Sequence, residues 1–323
     1  MEVVAVGADT LRPQLLVYSS VEQGRAEKVL EAFRKASGVQ AQIVRAFQSA
    51  DDALRRLYAD RNNAFVDVAD VWFGANVESH ELARRRGLLQ VYQPRAVLGT
   101  EFKDPDGYWT AVYLDPLAFG VDVQMQRELH LSAPASWQDL LDPDLKNQIV
   151  LPSPQSKTTQ LIIATLVFIL GEEPATHYLM QLDQNISSYR RNTVHWFGRR
   201  ESGRSLVTVD LASTLLERLD AGRIKTVLPK EGASFEAGAI SILRGAPRLA
   251  AARKLVDWLC GIEGQNALGS AVTPLLPLAA ATRPGTSLGP RPRPVLISPS
   301  LLPSQNVAER VSRSVAARSG VWQ

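Results

Sequence analysis

Four neighbouring side chains suited to anion binding stand at the start of a predicted helix. They are Ser156, Lys157, Thr158 and Thr159, and they follow the apolar segment IVLP and a Ser-Pro turn within residues 148–170. Free backbone N–H groups and the positive end of the helix dipole meet at such a position, hydroxyls add donors, and a lysine adds a full charge. Serine and threonine are also common helix caps. For this segment taken alone, capping is the preferred interpretation and an anion site is the alternative.

Polar residues also follow two predicted strands near the amino terminus. The strand at residues 15–18 is followed by Ser19 and Ser20, and the strand at residues 66–73 leads through a Gly-Ala pair to Asn76. Helical segments lie between the strands, and this alternation predicts an α/β fold with a doubly wound, largely parallel sheet. Ligands bind such sheets at the carboxyl ends of strands, which makes these three polar residues candidates for ligand binding.

Size and composition indicate a globular protein with a substantial core. The chain has 323 residues, 45% of them hydrophobic, and this length fits roughly two domains. The net charge of +3 is too small to indicate a nucleic-acid-binding protein, and no RNA-binding motif is present. Cys260 is the only cysteine, which excludes an internal disulfide and a multi-cysteine metal site. Its apolar surroundings predict a buried core residue.

The sequence carries no pattern typical of a membrane anchor or an export signal. The longest apolar run, residues 161–170, is ten residues long, against the roughly 20 that a transmembrane helix needs. The first fifteen residues lack the basic start, apolar centre and small-residue cleavage site of a secretory signal. We therefore expect a cytoplasmic protein, a mature exported form or a sequence with a mis-assigned start.

The middle of the chain predicts a second α/β region. A β-rich run at residues 108–123 is long enough to cross from one domain to another, and the strand-turn-helix segment at 148–170 lies beyond it. Strands at residues 226–229 and 239–243 follow later. The chain is thus expected to leave its first domain and to return to it.

Taken together, these segments resemble the extracytoplasmic solute-binding proteins of ABC importers, in the ferric-iron, phosphonate and sugar-phosphate branch of the type II periplasmic-binding fold. The stretches that carry the resemblance are LLVYSS, ADVWFGAN, DGYWTAVYLDPLAFGVD, SWQDLLDPDLKNQIVLPSP, SKTT, PKEGASFEAGAISILRGAP, ARKLVDWLCGIEGQNAL and TPLLPLAAATRPG. The resemblance implies two α/β lobes joined by crossing strands, which trap a small-molecule solute by hinge closure and deliver it to a membrane permease. It also implies a monomer without a cofactor, in a periplasmic or other extracytoplasmic location.

The expected domain boundaries follow from the resemblance. Lobe 1 is expected at residues 1–112 and again at 226–283, and lobe 2 at 113–225. An extended C-terminal segment with a terminal helix, residues 284–323, is expected to pack on the lobes.

The resemblance distributes the candidate residues between the two lobes. The two serines after the first strand and Asn76 are expected to face the solute from lobe 1, and the helix start at 156–159 from lobe 2. Trp109 lies on a crossing strand, where it either stacks on a ligand or fills the hinge. Relatives present a tyrosine, a basic residue and a small residue to the ligand near positions 189–193. The corresponding candidates are Arg191, Asn192 and Thr193, with solvent exposure as the alternative for the arginine.

Two carboxylate residues make ferric iron the alternative ligand. Asp210 follows a predicted strand, where it either binds ligand hydroxyl or ammonium groups or caps the next helix. Ferric relatives typically use two adjacent tyrosines, and this chain has no such pair. An iron site formed by Glu22, Asp210 and a synergistic anion is the alternative to an organic oxyanion.

An enzyme is the chief rival class for this chain. The sequence lacks the nucleophile elbow Gly-x-Ser-x-Gly, the P-loop, the dinucleotide fingerprint and the zinc motif His-Glu-x-x-His. The four histidines have no metal-ligand spacing and are expected on the surface or on helices. We therefore expect a non-catalytic binding protein, with a soluble ligand sensor of the same fold as a further alternative.

Overall fold

In the computed structural model the chain divides into two α/β units. The structure describes residues 13–47, 49–60, 69–95, 102–191, 193, 205–219, 222–271, 276–277, 296–297 and 304–319. Unit 1 comprises Met1–Leu114 and Ala237–Thr286, and unit 2 comprises Asp115–Glu236 and Ser287–Gln323. The mixed α/β architecture confirms the predicted fold class.

Strands and helices alternate in the first part of the chain and end in a long strand. In order they are β1 (Leu15–Ser19), α1 (Gln23–Ser37), β2 (Ala41–Ala46), α2 (Ala50–Asp60), β3 (Val71–Asn76), α3 (Val77–Arg85), β4 (Leu89–Gln90) and β5 (Thr110–Asp122). All 13 residues of β5 are buried, as its β-branched and aromatic composition predicts.

The middle part of the chain repeats the alternation. Its elements are α4 (Val123–Leu129), two short 3₁₀ helices (Gln138–Leu141 and Pro143–Leu145), β6 (Ile149–Pro152), α5 (Lys157–Leu170), α6 (Glu172–Asp183), β7 (Ile186–Arg190), β8 (Val207–Leu211), α7 (Ala212–Leu219), β9 (Ile224–Val227) and β10 (Ala233–Leu243).

The last part is mainly helical where it is described. It contains α8 (Leu249–Leu259), α9 (Ile262–Ala271), β11 (Leu276–Pro277), β12 (Leu296–Ile297) and α10 (Gln305–Ser319). Of the C-terminal segment predicted at residues 284–323, the structure describes β12 and residues 304–319, which contain α10. No described helix combines the length and the apolar composition that a membrane span requires.

The sheet of unit 1 is largely parallel at the strands that carry the predicted site. Its strand order is β2-β1-β3-β10-β5, with β4 also on β10 and β11 also on β5. Strand β1 runs parallel to β2 and β3, while β10 runs antiparallel to β3. The carboxyl ends of β1 and β3 therefore lie side by side, with Ser19 paired to Phe73.

The sheet of unit 2 brings three strand ends to one edge. Strand β6 lies between β7 and β8 and runs parallel to both. Strand β5 pairs antiparallel with β8 and β9. The residues that follow β6, β7 and β8 consequently share the carboxyl edge of this sheet, where ligands of such sheets bind.

Both β5 and β10 run from one unit into the other. They change units between Leu114 and Asp115 and between Glu236 and Ala237. The sequence placed the corresponding changes after residues 112 and 225. Residues 226–236 group with unit 2 because β9 pairs with β5 and the start of β10 pairs with β12.

Helix α5 is held in unit 2 by apolar packing on several sides. Its residues Ile162, Ile163 and Leu166 are almost fully buried, and Val311 and Val315 of α10 belong to the same apolar cluster. A helix that is apolar nearly all round needs such cover. The C-terminal helix supplies part of it, so the start of α5 is anchored to a packed core.

Cys260 is a core residue, as predicted. Its side chain is buried, and burial raises the pKa of its thiol to about 12.

Candidate functional site

The hydroxyl of Ser19, at the end of β1, is fully engaged within the protein. It is buried, donates to the carbonyl of Val21 over 2.8 Å and accepts the N–H of the same residue over 3.1 Å. The prediction of a free ligand donor therefore does not hold for Ser19. Its side chain closes the turn after β1 instead.

Ser20 lies at the same turn and keeps a free proton. Its hydroxyl oxygen accepts the indole N–H of Trp72 over 3.0 Å, and its backbone N–H donates to Phe73 over 2.8 Å. The side chain is partly exposed, and no described residue accepts its hydroxyl proton. Ser20 thus remains a candidate donor at the edge of the unit 1 sheet.

The carboxyl end of β3 has an unusual backbone conformation. Gly74 has φ 91° and Ala75 has φ 64°. A Cβ atom on Gly74 would lie 2.9 Å from the backbone nitrogen of Val21, so a side chain is excluded by space as well as by φ. Asn76 then caps α3 by accepting the N–H of Ser79 over 3.2 Å.

His80 was expected on the surface or on a helix, and the structure places it on a helix. It lies on α3 but is fully buried. Its ring nitrogens contact the Gly74 carbonyl at 2.6 Å and the Ser241 hydroxyl at 3.0 Å. Burial lowers the pKa of His80 to about 4, so the ring is neutral at physiological pH. The histidine supports the carboxyl end of β3.

The two remaining candidates of unit 1 have different surroundings. Glu22 is exposed and caps α1, because its carboxylate accepts the N–H groups of Gly24 and Arg25 over 2.8 and 3.0 Å. Trp109 is partly buried, and its indole N–H, after the guanidinium groups of Arg84 and Arg85, helps to lower the pKa of the Glu81 carboxyl group. Glu22 therefore caps a helix, and ligand binding by Trp109 stays a prediction.

Two of the four residues at the start of α5 fasten the helix to β6. Ser156 is the N-cap, and its hydroxyl oxygen accepts the N–H of Thr159 over 3.0 Å. The Thr159 hydroxyl is buried and lies 3.0 and 2.9 Å from the carbonyls of Pro152 and Ser153. The capping interpretation is therefore correct for Ser156, and Thr159 is not the free donor that was predicted.

The other two residues leave their donors free. Lys157 is exposed and Thr158 is partly exposed, and neither their side chains nor their backbone N–H groups bond to any described residue. The first turn of α5 contains no acidic residue that would offset the helix dipole. One hydroxyl, one ammonium and two N–H groups in the first turn of α5 thus make no bond to a described residue, and a helix N-terminus with such donors is suited to binding anions.

The segment after β7 reaches the same edge of the sheet. Ser153, which follows β6, donates its N–H to the carbonyl of Arg190 over 2.9 Å. Arg191 comes next and is exposed. Asn192 lies outside the described residues. Within this segment Arg191 is therefore the cation that stands near the start of α5.

Asp210, at the end of β8, is buried and hydrogen-bonded. One carboxylate oxygen accepts the hydroxyl of Thr193, and the other accepts the N–H of Leu211 over 2.8 Å. Burial raises the pKa of this carboxyl group. Thr193 is itself buried, so its hydroxyl positions Asp210, where the sequence predicted a direct ligand contact.

A second buried carboxylate was not singled out from the sequence. Asp115 accepts the N–H of Ser213 over 2.9 Å and also the hydroxyl of that residue, at the start of α7. Burial, and after it the charges of Glu236 and Asp210, raise the pKa of Asp115 to about 7, although the hydrogen bonds from Ser213 act in the opposite direction. The available signal was an aspartate inside an otherwise apolar strand segment, AVYLDPLAFGV.

The described residues offer little for a metal ion. No group of three or more His, Cys, Asp or Glu side chains among them is placed to hold one. The two carboxylates of the predicted iron alternative belong to different units, Glu22 to unit 1 and Asp210 to unit 2. Each is engaged in hydrogen bonds with the backbone.

Sequence comparison places the chain in a known family. Residues 67–287 match the family model of the bacterial extracellular solute-binding proteins. The chain is also 30% identical to an uncharacterized protein of Haemophilus influenzae over 271 residues, which are 80% of this chain and 76% of that protein.

Solved structures agree with this placement at the level of the fold. The periplasmic binding protein AfuA from Actinobacillus pleuropneumoniae, with exogenous fructose-6-phosphate bound, is 24% identical, with a TM-score of 0.60 over 95% of this chain and 98% of that one. Iron-bound HitA from Pseudomonas aeruginosa is 18% identical, with a TM-score of 0.63 over 93% and 98%. The chain therefore belongs to the bacterial extracellular solute-binding protein family and has the type II fold of periplasmic binding proteins.

Proposed function

We propose that this solute-binding protein of the ABC-importer type carries a small organic molecule with an oxyanion group, such as a sugar phosphate or a phosphonate. The start of α5 carries the proposal. There the Thr158 hydroxyl, the Lys157 ammonium and two backbone N–H groups have no partner among the described residues. An oxyanion satisfies all of these donors at once and gains from the helix dipole.

The edge of the unit 1 sheet supports the same ligand class. The free proton of Ser20 is a donor, and a phosphoryl or carboxylate oxygen is a suitable acceptor for it. Unit 1 thus offers a donor that suits the same ligand class as the start of α5.

The buried carboxylates favour an organic ligand over a simple inorganic anion. Asp210 stands at the carboxyl edge of the unit 2 sheet, the edge that also carries the start of α5. A purely anionic ligand would be repelled there, whereas ligand hydroxyl or amino groups can donate to the carboxylate. A solute with both an oxyanion and such donors is the class that we propose.

Ferric iron is the second candidate, because Asp115 and Asp210 supply hard oxygen atoms in unit 2. We rank it lower because the described residues provide no three-residue metal group. In either case we propose that the protein hands its cargo to a membrane permease on the outer side of the cytoplasmic membrane and that it has no catalytic activity.

The test compares ligands by calorimetry and thermal shift, with fructose 6-phosphate, methylphosphonate, inorganic phosphate and ferric citrate as probes. We expect the organic oxyanions to bind. We expect Thr158→Val and Lys157→Met to weaken binding by about tenfold each, the usual cost of one hydrogen bond to a charged group. Thr226→Val and Lys225→Met, on β9 of the same unit, are the matched controls and should bind like the wild type.

Two outcomes would overturn the proposal. Stabilisation by ferric citrate alone, with a charge-transfer absorption band, would establish the iron alternative. Equal affinities in the wild type and the Thr158→Val variant would remove the start of α5 from the site.

A further inference from the structure

We propose that Trp72, held in place by His80, fixes the Ser20 hydroxyl as a hydrogen-bond donor, so that unit 1 selects an acceptor atom of the solute. Trp72 and His80 are positioning residues in this scheme, and Ser20 makes the contact. The inference rests on the proposed function, since it names how one contact of that site is set.

The direction of the hydrogen bond between Trp72 and Ser20 follows from chemistry. An indole N–H can only donate, so the Ser20 oxygen must accept in the 3.0 Å contact between them. The hydroxyl proton then points elsewhere, and no described residue accepts it. A solute oxygen with free lone pairs fits this position, whereas an ammonium group would compete with the indole for the same oxygen.

The ring of His80 packs against the ring of Trp72. The two rings stack with their centroids 4.1 Å apart and an interplanar angle of 25°. Both side chains are fully buried, so neither ring has space to turn.

The tautomer of His80 is set by its two neighbours. The Gly74 carbonyl can only accept, so the Nε2 atom of the ring carries the proton in the 2.6 Å contact. The Nδ1 atom then accepts from the Ser241 hydroxyl over 3.0 Å. The ring therefore links β10 to the carboxyl end of β3 and supports Trp72 in one orientation.

The backbone around Ser20 is fixed by the same strand ends. The N–H of Ser20 donates to Phe73 over 2.8 Å, and Gly74 packs directly against Val21. The backbone bond and the indole contact thus both restrain the serine side chain. Such preorganisation lowers the entropic cost of binding.

A double-mutant cycle tests the inference with fructose 6-phosphate as the probe. We expect Ser20→Ala to weaken binding by about tenfold, and Trp72→Phe by roughly three- to tenfold. Because Trp72 acts through the Ser20 hydroxyl, the double variant should bind like Ser20→Ala alone. Trp258→Phe is the matched control, since Trp258 also belongs to unit 1 and no described residue accepts its indole N–H.

A second measurement does not depend on how well the Trp72→Phe variant folds. In the wild type, the indole N–H proton resonance of Trp72 should move when fructose 6-phosphate is added, because the solute polarises the hydroxyl that accepts its hydrogen bond. In Ser20→Ala the same resonance should start at a different position and should not respond.

The outcomes separate this inference from the proposed function. If the wild type binds no oxyanion probe, the proposed function fails and this inference fails with it. If the wild type binds but the free-energy effects of the two single substitutions are additive, the role of Trp72 is refuted and the proposed function stands. The same holds if the Trp72 resonance does not move when the ligand is added.

Discussion

The buried carboxyl group of Asp115 gives a specific prediction about the pH dependence of stability. Its pKa is raised from the ordinary 3.8 to about 7, first by burial and then by the charges of Glu236 and Asp210. Between these two pH values the group is protonated in the folded protein and ionised in the unfolded chain. Its contribution to stability is therefore fully present below about pH 4 and is lost as the pH rises to 7.

The substitution Asp115→Asn removes this titration and preserves the local geometry. The amide oxygen can accept the N–H of Ser213, and the amide nitrogen can donate to the Ser213 hydroxyl, so both contacts of Asp115 with α7 remain possible. We subtract the free energy of unfolding of the wild type from that of the variant. From the shift of the pKa, this difference should grow by about 2 kcal/mol between pH 5 and pH 7, and by less than about 0.5 kcal/mol between pH 7 and pH 8.

Urea unfolding of both proteins at intervals between pH 5 and pH 8 measures this difference. Asp144→Asn, which removes an exposed carboxylate of the same unit, is the control for the loss of charge. Parallel pH profiles for Asp115→Asn and the wild type would refute the assignment of a raised pKa to this group. If the difference in the free energy of unfolding continues to grow steeply above pH 7, the pKa of Asp115 does not lie near 7.

Three further predictions concern buried groups. Thr159→Val should lower the free energy of unfolding by about 1–3 kcal/mol, because two carbonyls at the end of β6 lose their hydrogen-bond donor. Thr159→Ser keeps the hydroxyl and should lower it clearly less. Equal losses of stability in urea unfolding would contradict these hydrogen bonds. Gly74→Ala should lower the free energy of unfolding by at least about 1–3 kcal/mol, because Gly74 has a φ of 91° and lies close to the backbone of Val21. Thermal unfolding measures this loss, and an unchanged stability would refute the reasoning. Cys260 should react with iodoacetamide roughly a thousandfold more slowly in the native protein than in urea, and rapid native alkylation would argue against its burial.

The start of α5 illustrates how far local sequence rules reach. The strand, turn and helix at residues 148–170 follow from an apolar run, a Ser-Pro turn and helix-forming residues, all of which act within a few positions. The cap at Ser156 is local too. Which hydroxyl remains free is not local, because Thr158 and Thr159 point about 100° apart around the helix and only the packing on β6 engages Thr159.

The two residues that the sequence did not single out depend on distant partners. His80 bonds to Ser241, 161 positions away, and Asp115 bonds to Ser213, 98 positions away. Neither residue belongs to a short motif, and a histidine on a polar helix is ordinarily exposed. Their burial, and with it the lowered pKa of His80 and the raised pKa of Asp115, arises when the strands assemble.

The sequence by itself determined the α/β class, the strand ends and the residue types that stand there, because hydrophobic periodicity and turn chemistry act over short distances. Only the tertiary structure decided which of those polar groups are occupied. Ser19 and Thr159 are bonded within the protein, whereas no described residue accepts the hydroxyl proton of Ser20 or of Thr158. The physical reason is that a hydrogen bond needs a partner at the right distance, and the sheets supply that partner from remote parts of the chain.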